Sequence, residues 1–517
     1  MGSSPGTEVN DLDAASQTEH FSTDHLLHNI GSRAVSGGFV TIAAQAGKFL
    51  LNFVAAAILA RLLSPRDFGL VGMVLAFTGL VGVFNALGLS TATVQRATIT
   101  QEQVSNLFWI NVGSSGILAI ISFASAPLIA RFYHDPRVTS IMLALSFTFL
   151  LTGSTVQHQA LLTRQMRFKA LAVIDVSSAA IGFAVACSMA SFGFAYWALV
   201  GQQLMTAGSG LAMTWMTSGW RPHLPSRNSG VKPLVRFGVH LSLADFVAIL
   251  SVNSDSILIG RFFGAESLGL YTRANVLLTR PLQQVIAPIN SVLIPVLSRL
   301  QGDPKRYRRS HMRAYNTLAL IVFSFSALCL VLARPLVLVI LGSKWTSVIP
   351  LFSAFSLVAV SGPLSAICPW IYESQGRGGD QLKNHTAAGI VTLLSYFIGL
   401  RWGPLGVILS VAITSLLIRM PIIYYIAGKR GPVTTRDLWM GFLSHLPCWG
   451  SVFLVTSVAY RAVEIEHLAP IVQLLVCGPV GLAGGVLLMM MFRQPRESAL
   501  NTWNLIKGQL ISRFATS

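Results

Sequence analysis

Charge is what this 517-residue chain has least of: Asp, Glu, Lys and Arg together make up 11% of it. Soluble domains carry about a quarter. With 53% apolar residues and a mean hydropathy of +0.63, the chain needs lipid as its solvent, which excludes a soluble globular fold. Cysteine is also sparse. Cys187, Cys329, Cys368, Cys448 and Cys477 stand singly in apolar stretches, without metal-ligand spacing, so neither a zinc centre nor a disulfide framework is expected. The first 36 residues lack an apolar h-region; they read as a polar, disordered tail with no cleavable signal peptide. Loops between the apolar stretches are short, with no cluster of catalytic carboxylates and no P-loop, so enzyme chemistry, ATP hydrolysis and a bound cofactor are not expected.

What the chain does have is a succession of apolar runs, each long enough to cross a hydrocarbon core of about 30 Å. Fourteen spans are predicted, from 38–60 and 68–93 through 236–260 and 268–297 to 439–461 and 468–491. Lys and Arg outnumber Asp and Glu by 37 to 19. No basic run is interleaved with aromatics in a polar domain, so the excess reads as membrane orientation rather than nucleic-acid binding. With the N-terminus placed in the cytoplasm, 24 of the 37 basic residues fall on that side, eight on the other, and five in or at the rims of spans. That asymmetry predicts two cytoplasmic termini.

The chain also repeats itself. "ARLLSPRDFGLVG" (Ala60–Gly72) is matched by "GRFFGAESLGLYT" (Gly260–Thr272): Arg61 falls on Arg261, Gly69 on Gly269, and Leu70 on Leu270. In the first copy Ser64, Pro65 and Asp67 have the order of a helix start, with a cap, a first-position proline and an early acid. In the second, Gly264 takes the cap and Glu266 the acidic place. Further on, "PLIARFYHDPRVTSI" (Pro127–Ile141) answers "PLVLVILGSKWTSVI" (Pro335–Ile349), and "GFAYWALV" (Gly193–Val200) answers "GPLGVILS" (Gly403–Ser410). The offset grows from 200 to 208 and then 210, in step with span number. Six spans per repeat is an even number, so both copies run in the same direction, related by an axis along the membrane normal. The organisation expected is a tail (1–36), an N-lobe of six helices (37–225), a C-lobe of six (226–430), and a final helix pair with a cytoplasmic tail (431–517). Two such lobes predict alternating access around a central site.

A charge at bilayer depth costs about 3 kcal/mol or more and so marks a site or a partner. In the first span Thr41, Gln45, Lys48 and Asn52 share one helix face. In the eighth, Arg273, Arg280 and Gln284 share another, with Pro281 beside the central arginine. One reading joins Lys48, Arg273, Arg280, Gln45, Asn52 and Gln284 into a cationic cavity for an anion such as pyrophosphate. The other pairs Lys48 or Arg273 internally with Asp255 or Asp245. In the seventh span His240, Ser251, Ser254 and Asp255 form a stripe; Asp255, Asp245 and His240 are candidates for proton or Na⁺ coupling. Asp175 and Glu373 lie near span ends and read as interfacial.

The stretch "DSILIGRFFGAESLGLYTRANVLLTRPLQQVIAPINSVLIPVLSRLQGDPKRYRR" (Asp255–Arg309) resembles the Wzx-type polysaccharide transporters, in their colanic-acid-exporter-like branch. These sit within the multidrug/oligosaccharidyl-lipid/polysaccharide superfamily; "ILARLLSPRDFGLVGM" resembles that family's first-lobe turn. The likeness covers about residues 35–430 and is most specific in the middle third. It implies an all-α inner-membrane protein of about fourteen helices, two parallel six-helix lobes like those of the multidrug-extrusion branch plus a final pair. It implies a flippase for undecaprenyl-pyrophosphate-linked oligosaccharide in surface-polysaccharide biosynthesis, with lipid-linked oligosaccharide and membrane lipids as partners, alongside polymerase or export machinery. It implies no cofactor beyond a coupling H⁺ or Na⁺. Tyr271 is a candidate to stack on sugar or to sit in the interface belt. A multidrug/cation antiporter of the same superfamily is the alternative; it calls for an acidic cavity, which Asp255 keeps open and the cations oppose.

Overall fold

The computed structural model describes residues 30–85, 89–96, 98–226, 232–365, 367–466 and 468–490. Among them every regular element is helical, as lipid demands of a chain that is not a closed barrel. The chain groups into two compact units, Met1–Leu268 and Gly269–Ser517. The first holds α1 (Ile30–Leu62), α2 (Pro65–Gly82), α3 (Leu89–Gln95), α4 (Gln101–Tyr133), α5 (Arg137–Gly153), α6 (Val156–Arg164), α7 (Phe168–Ser191), α8 (Trp197–Ser218) and the opening part of α9 (Lys232–Arg299). The second holds the rest of α9, then α10 (Pro304–Val331), α11 (Ala333–Ile340), α12 (Val348–Ser365), α13 (Cys368–Ser374), α14 (Gly378–Gly399), α15 (Gly403–Thr414), α16 (Met420–Gly428), α17 (Thr435–Ile465) and α18 (Pro470–Met489).

Among the described residues nine helical stretches are long and apolar enough to cross a membrane. Two of them, Asn253–Arg299 and Gly378–Gly428, run to 47 and 51 residues. At 1.5 Å per residue each is about 70 Å or more, enough for two crossings, and each contains a glycine where the helix is broken. In α9 the break is Gly264, at φ 78° and ψ −177°. The contacts of α2 show what happens there. Gly69 and Gly72 meet Ala265 and Leu268 in rising order, whereas Gly79, further along, meets Asn253. The chain must therefore reverse between Asn253 and Ala265, as the seventh and eighth predicted spans require. In the 51-residue stretch the break is Gly403, φ 76°, and the reversal is tight enough that a Cβ on Gly399 would lie 2.5 Å from Val407 Cα.

The first turn folds as its residues suggest. Ser64 caps α2: its Oγ accepts from the Asp67 amide at 3.3 Å, and the Asp67 carboxylate accepts from the Ser64 amide at 2.9 Å, with Pro65 at the first helical position. The copy differs. Gly264 replaces the Ser with a left-handed residue, so the chain there changes direction through backbone freedom instead of a side-chain cap.

Backbone conformation carries the repeat beyond what the letters show. His134 (φ 57°) and Gly342 (φ 96°) stand at the 208 offset. At the 210 offset stand Met166 (φ 54°) with Gly376 (φ 65°), and Gly193 (φ 80°) with Gly403. The second pair opens a structure common to both units. In Gln165-Met166-Arg167 the amide of Arg167 returns to Leu162 O at 2.9 Å; in Gln375-Gly376-Arg377 the amide of Arg377 returns to Tyr372 O at 2.8 Å. Both are helix-ending turns in which a left-handed residue satisfies orphan carbonyls. Both arginines then reach the end of another helix. Arg167 donates to Thr217 O at 3.1 Å, at the end of α8. Arg377 donates to Ile426 O (3.2 Å), Ala427 O (3.1 Å) and Arg430 O (2.7 Å), around the end of α16, while Asp380 accepts from it at 2.8 Å. Cations at helix C-termini answer both the unpaired carbonyls and the helix dipole.

Within the second unit the final helix pair packs against α10. Arg308 pairs with Asp437, itself in the capping box that starts α17, and Gly441 lies flat on the Tyr315 ring, whose hydroxyl meets that of Tyr424 at 3.0 Å. Gly481, Gly484 and Gly485 of α18 close on Thr456, Val455 and Val452 of α17, the small-residue contact by which helices approach in lipid.

Two substitutions test these contacts. Arg377→Ala removes the donors to Asp380 and to three helix-end carbonyls, whereas Arg167→Ala loses one exposed hydrogen bond, so Arg377→Ala should be the more destabilising of the two. Thermal unfolding of the purified protein should rank them in that order. Gly69→Val drives a Cβ into the Ala265 carbonyl and should lower the unfolding midpoint sharply, whereas Gly72→Ala meets only the Leu268 side chain at 3.6 Å and should leave it nearly unchanged.

Candidate functional site

The polar face of α1 is real, and its central member has a partner. Lys48 Nζ lies 3.6 Å from Asp175 Oδ1 on α7, with the two side chains 42% and 57% exposed. Gln45 and Asn52, on the same face, are exposed. The acid beside Lys48 is Asp175, which the sequence reading leaves at the interface. Asp175 stands seven residues into α7, about 10 Å from its start at 1.5 Å per residue. A half-exposed pair keeps part of its hydration, so the attraction holds the two side chains near each other without locking them. The lysine stays open to exchange for another anion.

On α9, Arg273 is half-buried while Arg280 and Gln284 are exposed. Seven residues separate the two arginines, two helical turns along one face, about 10 Å. The opposite stripe of the same helix is packed: Tyr271, Ala274, Leu278 and Leu282 are buried. Tyr271 is therefore a core residue rather than a sugar platform or belt residue. Its ring meets Phe355 at 5.0 Å and 62°, leaving 3% of the residue exposed.

In the first unit Asp255 is 6% exposed, and its Oδ1 accepts a hydrogen bond from Ser256 Oγ at 3.1 Å. Its neighbour Ser254 is turned back onto the Leu250 carbonyl. The side chains of His240 and Asp245 lie outside the described residues. So the structure joins Lys48 with Asp175, aligns Arg273, Arg280 and Gln284 along one helix, and buries Asp255. No group of three or more metal-ligating side chains occurs among the described residues.

Two polar features are given no role in the sequence reading. Asn85, in the turn after α2, donates to Thr152 Oγ1 at 2.7 Å and accepts from Ser115 Oγ at 2.6 Å, next to the break between α5 and α6. In the second unit Asn290 accepts from Trp370 Nε1 at 2.6 Å, next to the break between α12 and α13. Each unit thus ties an asparagine to the interrupted fourth helix of its repeat. The other feature is Arg419, in a π-turn (Ser415–Arg419) between α15 and α16.

Comparison with known proteins agrees with this architecture. Residues 58–350 match the family described as polysaccharide biosynthesis protein. The chain is 26% identical over 340 residues to the succinoglycan biosynthesis transport protein ExoT of Rhizobium meliloti, covering 65% of this chain and 68% of that one. It is 24% identical over 428 residues to the lipopolysaccharide biosynthesis protein WzxC of Escherichia coli, covering 81% and 86%. Matches to three curated relatives span 66% to 86% of their lengths. Among solved structures, the lipid II flippase MurJ in an inward closed conformation superposes with a TM-score of 0.67 over 87% of this chain and 99% of that one, at 14% identity. At that identity the likeness is one of fold. The family match takes in more than half of the chain, and the chain belongs to the polysaccharide biosynthesis protein family.

Proposed function

We propose that this chain is a flippase that carries an undecaprenyl-pyrophosphate-linked oligosaccharide across the bacterial inner membrane by alternating access, for surface-polysaccharide biosynthesis. The observation that carries the reading is the set of cations within membrane-spanning helices that are not buried in structural pairs. Lys48 is half-exposed beside Asp175, and Arg280 and Gln284 are exposed along α9. Such charges are retained in hydrocarbon for an anionic cargo. A pyrophosphate suits them: it has several oxygen acceptors, and an arginine fork meets two of them at once. Family membership supplies the pathway, and the names of ExoT and WzxC tie those relatives to polysaccharide transport and biosynthesis.

In this reading both termini face the cytoplasm, and Lys48, Arg273 and Arg280, assisted by Gln45, Asn52 and Gln284, take the pyrophosphate as it leaves the inner leaflet. Binding frees Asp175 from Lys48 without breaking a buried structural contact. Asp255, buried and hydrogen-bonded by Ser256, is the candidate for H⁺ or Na⁺ coupling, with Asp245 and His240 on the same helix. The delivered sugar then passes to polymerase or export machinery.

The test is Lys48→Ala and Arg280→Ala in a strain lacking the native gene. Each should reduce surface polysaccharide at least tenfold while membrane abundance, read by immunoblot, stays at the wild-type level; full export by both variants would sink the proposal. Asp175→Asn should retain export, because it removes the competitor and not the cation.

A further inference from the structure

Arg419 has no place in that scheme, yet it is set more deeply than its neighbours require. It ends the π-turn Ser415–Arg419, which joins α15 to α16. Single π-turns are inserted irregularities concentrated at functional sites. Arg419 lies nine residues before Gly428, about 14 Å along the axis at 1.5 Å per residue. Helical side chains lean towards the N-terminus of their own helix, so this one leans away from the Gly428 end and cannot snorkel to it.

Its contacts agree. Nη1 donates to Thr392 Oγ1 on α14 at 3.4 Å, and Thr392 stands seven residues before Gly399, about 10 Å from that opposite end. The guanidinium is thereby held near the middle of a span that is itself about 38 Å long from Gly403 to Gly428.

At that depth it has little to bind. Among the described residues no carboxylate lies within 4 Å of it. The single acid of the stretch Gly378–Gly428, Asp380, is taken by Arg377. Its Nε is buried without a hydrogen-bond partner, and its bond to Thr392 is long. The surrounding helix interface offers hydroxyls, Thr392 and the Ser395–Thr414 pair at 2.5 Å, but no negative charge. A guanidinium so placed, with Nε buried and unpartnered and only a long bond from Nη1, is incomplete without an anion. A phosphate completes it, because two of its oxygens match the fork and the Thr392 hydroxyl can turn to a third.

We propose that Arg419 is a phosphate-binding residue within the second unit, engaging the phosphate of a lipid-borne group in mid-crossing. The proposal rests on the flippase reading above and adds a station to it. Depth decides between two sources of the phosphate. Phosphates of resident bilayer lipids lie outside the hydrocarbon core of about 30 Å, whereas a phosphate beside Arg419 is one in transit.

The experiment uses the full-length protein in nanodiscs of zwitterionic lipid, with undecaprenyl pyrophosphate as probe. Undecaprenol serves as the phosphate-free control and phosphatidylglycerol as the competitor, and affinity is read by native mass spectrometry. Wild type should prefer the pyrophosphate over undecaprenol. Arg419→Gln should weaken pyrophosphate binding roughly tenfold without changing undecaprenol binding, and Arg419→Lys should fall between, keeping charge but losing the fork. Phosphatidylglycerol should not compete. Thermal unfolding of each variant controls for folding; if Arg419→Gln unfolds, Arg419→Lys and Thr392→Val carry the comparison.

Arg419→Gln binding the pyrophosphate as tightly as wild type would overturn the proposal, as would phosphatidylglycerol displacing the probe from wild type but not from Arg419→Gln. If Lys48→Ala weakens binding while Arg419→Gln does not, this station falls and the flippase reading stands. If wild type fails to prefer the pyrophosphate over undecaprenol, both fall.

Discussion

Hydrocarbon offers no hydrogen bonds, so every backbone group this chain exposes by breaking a helix must be satisfied from within the protein. The rest of the structure follows from how those breaks are managed. Each unit interrupts its helices at corresponding places and closes them with left-handed residues: His134 and Gly342, Met166 and Gly376, Gly193 and Gly403. Where backbone alone does not suffice, an arginine supplies the donors. Arg167 does so at the end of α8 and Arg377 at the end of α16, while Arg164 donates to Thr93 O at 3.1 Å near the end of α3. Charge is scarce in this chain, and much of it is spent at helix ends; what remains inside the spans stands out.

That contrast sorts the cations by their surroundings. Arg377 is enclosed, with its carboxylate and carbonyl partners complete; Arg308 is held by Asp437. Lys48 and Arg280 differ in kind: the first faces its acid at 3.6 Å with both side chains half-exposed, and the second is exposed on its helix. A cation that is both inside a membrane span and accessible is costly unless a mobile anion visits it. The chain belongs to the polysaccharide biosynthesis protein family and shares its fold with MurJ.

Much of the fold was legible in the sequence because it rests on local chemistry. Ser64, Pro65 and Asp67 form a helix start in three adjacent choices, and they fold as one. Hydropathy places the spans, and a glycine at each tight turn marks the two reversals that helical continuity hides, at Gly264 and Gly403. The candidate site was legible only in part. Periodicity tells which residues share a face of α1 but not which helix that face meets. The acid found beside Lys48 is Asp175, on a helix more than a hundred residues further on. Tyr271 shows the same limit: it lies on the face of α9 that carries Ala274, Leu278 and Leu282, and packing claims it. The Gln-x-Arg turns stood in plain sight at an offset of 210, but three letters among so many apolar ones carry no weight until the hydrogen bonds are drawn.

The central claim is that this chain moves a pyrophosphate-linked lipid between leaflets. Its most direct measurement is a reconstituted flip assay. Purified protein in proteoliposomes is given a fluorescent undecaprenyl-pyrophosphate oligosaccharide, and transfer is read by protection from a membrane-impermeant quencher. The account predicts transfer well above that of empty liposomes, with no transfer of the matching undecaprenol-linked label. Equal transfer of both labels, or uptake of a cationic dye with no transfer of the pyrophosphate-linked lipid, would contradict it.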